Sequence, residues 1–222
     1  MKANFKATAL NDAIRVTTDK TAFKGMYEPL IEDRLFLYRD SNNVHACASI
    51  SRGSSAMALV RESTTFNPER IEEALTVECQ IPLVSVVKEA AKRGGDVHIE
   101  TWEGEKTGLW LWASGSPEMR LATVEAQTDV PIAVFKKLRG GGRFQNGLTY
   151  MPTLQANVWK FIGSLSKSKG DDATVTIAQA PGASTGCFVV RPEWQDGRFV
   201  MFVMGCQVWE DSKLLTLEGQ PI

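Results

Sequence analysis

The chain has 222 residues, 43% of them hydrophobic and 23% charged, which is enough to bury a sizeable core and ordinary for a folded globular protein. A net charge of −1 excludes a globally basic nucleic-acid binder, so any attraction to a polyanion has to come from charge segregated onto one face. Four cysteines without a CxxC pair, and no apolar run near the roughly 20 residues of a membrane helix, predict reduced thiols and a cytoplasmic protein.

Read in chain order, one pattern occurs three times. The first copy spans 1–63. A short strand at Ala3–Ala7 leads into a helix from Ala9 to Thr18, for which Thr8 is the expected cap. Strands then follow at Leu30–Tyr38, Val44–Ile50 and Ala56–Arg61, with Asp40-Ser41-Asn42-Asn43 turning between the first two. Residues Ser63–Glu73, with Glu69, Glu72 and Glu73, read as an exposed linker.

The second copy spans 73–130. Leu75, Val77 and Cys79 alternate with polar neighbours as a half-buried strand, and Pro82 suits the first turn of the helix that follows. Lys92-Arg93 and then Gly94-Gly95 end that helix, and strands centred on Val97–Ile99, Leu109–Leu111 and Leu121–Glu125 complete the copy. Residues 131–146 form a basic, glycine-rich linker. The third copy, within 147–222, has a strand at Leu148–Tyr150, a helix from Pro152 to Ser166, and strands at Ala173–Gln179, Cys187–Arg191 and Phe199–Cys206 before a C-terminal tail. The order of elements predicts an α+β protein of tandem βαβββ units, each needing a neighbour to bury its apolar face.

The free faces of the three helices carry the functional signal. In the third helix Leu154, Val158, Phe161 and Leu165 form an apolar stripe, opposed by Asn157, Lys160, Ser164 and Lys167. In the second, Ser85, Lys88 and Lys92 oppose Leu83, Val86, Val87 and Ala90. In the first, Asn11, Arg15 and Thr18 oppose Leu10, Ala13 and Ile14. Asp12 and Glu89 fall at the flanks. Such faces read either as ordinary solvated helix surfaces or as a polyanion surface making phosphate contacts without base reading, whose binding is sequence-independent and salt-sensitive. Lys136, Lys137, Arg139 and Arg143 in the KKLRGGGR run either add backbone contacts or form a mobile basic linker.

Nothing points to catalysis, a metal or a cofactor. His45 and His98 lie on strands of different units, away from any nucleophile motif, and Asp171-Asp172 reads as turn chemistry. Trp110 and Trp112 share one strand face; stacking on bases is one reading, core or interface packing the other.

The segment TVECQIPLVSVVKEAAKRGGDVHIETW…GLWLWASG…MRLATVEAQTDVP resembles a half-domain of the bacterial DNA polymerase III β subunit. GCFVVRPEWQDGRFVMFVMG is similar to that family's final strands: Arg191-Pro192 match, Met204 falls on the first Met of the family's Met-Pro-Met, and Gly205-Cys206 replace the rest. The resemblance implies a DNA sliding clamp and polymerase processivity factor: a ring with helices lining a hole around duplex DNA, antiparallel sheets outside, and a polymerase and clamp loader as partners. It implies a peptide pocket near Val203, Met204 and Val208, although the loss of Pro-Met weakens that expectation. Family members carry six or four units per chain. Three per chain and twelve per ring give a homo-tetramer, with a trimer as the alternative. Brevity suggests a phage or plasmid origin, in a bacterial or infected host cytoplasm. The rival reading is a clamp-like interaction protein that modulates a host replisome without encircling DNA.

Overall fold

Ala3 and Phe5 are buried in β1 (Lys2–Lys6) while Lys2, Asn4 and Lys6 point outward, the alternation of a strand with one face on a core. In the computed structural model the described residues are 1–24, 27, 29, 31–41, 43–50, 56–61, 67–102, 108–124, 132, 154–166, 174–179, 187–195 and 198–204. β1 is followed by α1 (Ala7–Thr18), β2 (Arg34–Asp40), β3 (Asn43–Ser49) and β4 (Ala56–Arg61). The second set is β5 (Ile71–Glu78), α2 (Ile81–Lys92), β6 (Asp96–Trp102), β7 (Gly108–Ala113) and β8 (Met119–Ala122). The third contributes α3 (Ala156–Ser166), β9 (Val175–Gln179), β10 (Cys187–Pro192) and β11 (Phe199–Met204). The expected strand Leu148–Tyr150 lies outside the described residues.

The first two units exchange their leading strands. β1 joins the second unit's sheet in the order β1-β6-β7-β8, and β5 joins the first unit's strands in β5-β2-β3-β4. All of these pairings are antiparallel. The second sheet continues through β4 into β11-β10-β9, giving seven strands; Phe199 pairs with Val60 and Val203 with Ala56 across that junction. α1 and α2 pack on each other between the sheets, and α3 covers β10. One apolar cluster joins Leu10 and Ile14 of α1, Leu83 and Val87 of α2, and Val158, Phe161 and Leu165 of α3 to both sheets.

The two sheets differ on their far faces. In β2 the consecutive residues Leu35, Phe36, Leu37 and Tyr38 are all buried, as expected of a strand covered on both sides. Leu35 and Leu37 belong to the helix-side cluster, whereas Phe36 and Tyr38 join Cys47, Leu59, Val189, Val200 and Phe202 in a second one. Ile132, near the start of the 131–146 linker and ahead of the KKLRGGGR run, packs against that second cluster. β6 and β7 alternate instead: Val97, Ile99, Leu109 and Leu111 are buried, and His98, Trp110 and Trp112 are half-buried on the opposite face.

Several local expectations need correction. α1 starts at Ala7 with no side-chain cap, because it continues directly from β1 and the Ala7 N–H donates to the Gly95 carbonyl (3.1 Å). Thr8 therefore lies inside the helix. Glu72 and Glu73 belong to β5 rather than to a linker, and both grip Arg39 of β2, at 2.7 and 3.1 Å. α3 begins at Ala156, four residues past Pro152. α2 ends as the sequence indicates, on Gly94 with φ of +68°, a left-handed conformation that glycine adopts without strain. His45 is a core residue rather than a surface one: it is fully buried, with Nε2 2.9 Å from Asp40 Oδ1. Cys47 and Cys79 are buried free thiols, each pushed well up by burial and so unreactive.

Candidate nucleic-acid interface

The exposed stripes of the helices follow from which residues the core takes. On α1 the core takes Ala9, Leu10, Ala13, Ile14, Val16 and Thr17, leaving Thr8, Asn11, Arg15 and Thr18 half-exposed at helical spacing. On α2 the outward residues are Ile81, Pro82, Ser85, Lys88, Glu89 and Lys92; on α3 they are Ala156, Asn157, Trp159, Lys160 and Gly163. Asn11, Lys88, Lys92, Asn157 and Lys160 thus sit where the periodicity places them, on faces turned away from the core.

Their charges are not equivalent. Lys88 and Lys160 are exposed and make no ion pair among the described residues. Lys92 Nζ lies 2.6 Å from Glu89 Oε1 on the same open surface, and that contact holds the Glu89 carboxyl below its usual range. The face of α2 is therefore not free of acid, and Lys92 brings little net charge.

Arg15 is engaged still further. It donates to Asp12 Oδ1 (3.1 Å) and to the Ser164 hydroxyl of α3, and its guanidinium lies 4.9 Å from the centre of the Phe161 ring. Asp12, expected at the flank of the open face, is only 7% exposed and accepts a second bond from Gln195 Nε2 at 2.7 Å. Arg15 thus connects the first and third units. Lys136, Lys137, Arg139, Arg143 and Lys167 lie outside the described residues, as does Val208. Val203 points into the helix-side core at 1% exposure and so does not line an open pocket; it is Val200 and Phe202 that turn to the far face. Met204 is the last residue of β11.

Burial pushes the Asp12 carboxyl from an ordinary 3.8 up to about 6, against the opposing pull of Arg15 and Gln195. With a folded value above the unfolded one, its stabilising contribution is fully present below the unfolded value and is lost as pH rises through about 6. The difference is worth about 3 kcal/mol. Asp12→Asn is expected to match the parent near pH ~4 and to exceed it by up to about 3 kcal/mol at pH ~7. Urea unfolding of both proteins across that range checks this; a gap that does not grow with pH refutes it.

Sequence reading missed Trp159, 39% exposed beside Lys160, and Ile81, 82% exposed at the start of α2. Ile81 directly precedes Pro82, where the helix periodicity has barely begun, so no pattern assigns it a face. An open hollow between the end of α1 and the start of α2 is lined by Thr18, Glu78, Cys79, Ile81, Ser85 and Lys88. Among the described residues no cluster of His, Cys, Asp or Glu could hold a metal ion.

Two exchanged strands, a helix pair between the sheets and a sheet that runs on into the next unit define an architecture seen in solved structures. A DNA polymerase sliding clamp from Pseudomonas aeruginosa aligns with 99% of this chain and 69% of its own, at a TM-score of 0.50 and 12% identity. A protein described as a DNA polymerase III β subunit from Eubacterium rectale aligns with 98% of this chain and 69% of its own, at 0.52 and 9% identity. The chain has the sliding-clamp fold. No family model matches the sequence, and no curated protein does. Within the clamp fold, α1, α2 and α3 form the helical layer and the two sheets pack against it. Among the described residues no helix is long and apolar enough to cross a membrane.

Proposed function

We propose that this chain is a DNA sliding clamp: a processivity factor that closes into a ring around duplex DNA and tethers a replicative polymerase, loaded by a clamp loader. The observation that carries the reading is the reciprocal exchange of β1 and β5 around the α1–α2 pair, over a chain that aligns almost end to end with a DNA polymerase sliding clamp. The helix faces suit the role. Lys88 and Lys160 supply cations, and Asn11 and Asn157 supply neutral hydrogen-bonding groups. None of these four reads bases in a groove, and a few weak phosphate contacts permit sliding. Residence then comes from topology rather than affinity.

Twelve units close such a ring. Three units per chain give four chains, whereas the 69% share of the longer clamps, six units each, corresponds to about four units and three chains. Native mass as a multiple of the 24.5 kDa chain decides between them. For the function itself, protein loaded on a nicked circular plasmid is expected to stay bound through a high-salt wash and to be released when the plasmid is linearised. Equal loss from circular and linear DNA sinks the ring reading and favours a clamp-like protein that acts on a replisome without encircling DNA.

A further inference from the structure

The face of the four-stranded sheet turned away from the helices carries an aromatic platform that the clamp reading does not use. On the two central strands, β6 presents His98, Glu100 and Trp102, and β7 presents Trp110 and Trp112, all half-buried. Register sets His98 opposite Trp112 and Glu100 opposite Trp110. The His98 and Trp112 rings stack with centroids 5.5 Å apart and planes 20° from parallel, and Trp102 lies 6.5 Å from Trp110. Arg120 of β8, opposite Trp110, holds its guanidinium 4.1 Å from the centre of that ring.

Trp102 packs over Gly108, its partner on β7; a Cβ there would meet the indole nitrogen at 2.5 Å. These rings are not core: Leu109 and Leu111, which alternate with the tryptophans, fill the core instead. The Trp102 indole N–H has no hydrogen-bond partner among the described residues.

Glu100 is paired with Lys2 at 3.6 Å and Asp96 with Lys6 at 2.8 Å, whereas Arg120 is exposed and makes no ion pair among the described residues. An antiparallel sheet with aromatics on its central strands, and over two of their rings a guanidinium that makes no ion pair among the described residues, fits bases on the rings and phosphates along the edge. Trp110 and Trp112 are two strand residues apart, about 6.8 Å. That is about twice the 3.4 Å rise of a stacked duplex strand. The spacing therefore suits a stretched strand with its bases unstacked and does not suit a duplex.

We propose that this sheet face binds single-stranded nucleic acid, with bases stacked on Trp110 and Trp112 and phosphate held by Arg120. The site lies on the opposite side of the sheet from the helices and does not depend on ring closure.

The test is anisotropy of a short labelled oligothymidylate with the full chain. Binding is expected to weaken at least about 10-fold in Trp110→Ala/Trp112→Ala, the change that follows from losing stacked bases. Trp110→Phe/Trp112→Phe is expected to restore most of it, and Arg120→Glu to weaken it and flatten its salt dependence. Lys88→Glu/Lys160→Glu is expected to leave it unchanged, so this site and the duplex-facing helices fail separately. Absence of oligonucleotide binding, equal competition by duplex, or insensitivity to the tryptophan changes overturns the proposal, as does displacement of the oligonucleotide only by apolar peptides.

Discussion

Truncating Phe5 to alanine is expected to destabilise the protein by about 3–5 kcal/mol, the usual range for deleting a fully buried aromatic ring. Phe5 is 1% exposed on the strand that the first unit lends to the second unit's sheet, opposite Val97 of β6. Its neighbour Lys6 on the same strand is largely open, with an ion pair to Asp96 at the surface. Lys6→Ala is therefore expected to change stability by no more than about 1 kcal/mol. Urea denaturation of the two variants separates burial from charge. A Phe5→Ala loss below about 1 kcal/mol means that the exchanged strand contributes little to holding the two units together.

Reversing Lys88 and Lys160 together to glutamate is expected to reduce duplex binding strongly while leaving the fold intact. Both residues are exposed and unpaired among the described residues, so stability should stay within about 0.5 kcal/mol of the parent. Each lost phosphate contact lowers the slope of log affinity against log salt by about 0.9, so the pair should reduce it by about 2. Arg15→Glu supplies the contrast. Because Arg15 is held between Asp12, Ser164 and Phe161, its reversal should act chiefly on stability and on the fit of the third unit. A double variant with an unchanged salt slope removes these helix faces from the DNA-binding account.

Much of the fold is legible in the sequence because each strand's burial pattern is local. Alternation in DVHIETW and GLWLWA marks one-sided strands, and the unbroken runs LFLY, ALV and FVMFV mark strands covered on both faces. The helix stripes are equally plain, since the 3.6-residue period separates Leu154, Val158, Phe161 and Leu165 from Asn157 and Lys160. What the sequence does not display is partnership across the chain. That β1 leaves its own unit for β6, or that Arg15 finds Ser164 149 positions later, depends on three-dimensional closure that no local pattern encodes. Asp12 shows the same limit. Periodicity puts it at the edge of α1, but packing against Gln195 of the third unit buries it. The tryptophans of β7 were legible as a pair on one face, but their partners Trp102 and Arg120 emerge only from the register of β6, β7 and β8.

The strand exchange also sets an order of events for a chain leaving the ribosome. Thr101 donates its hydroxyl to the Met1 carbonyl, 100 residues away in sequence, so β1 finds its place only after β6 has been made. Until β5 has been made the first unit lacks the outer neighbour of β2, and until β6 has been made it lacks the docking site of its own leading strand, so its edges stay open. Pairing across so long a separation is slow and exposes apolar strand edges meanwhile. The first unit is therefore expected not to fold by itself: premature termination before β6 yields a fragment destined for chaperones or proteolysis, and the smallest portion able to stand alone ends beyond β8.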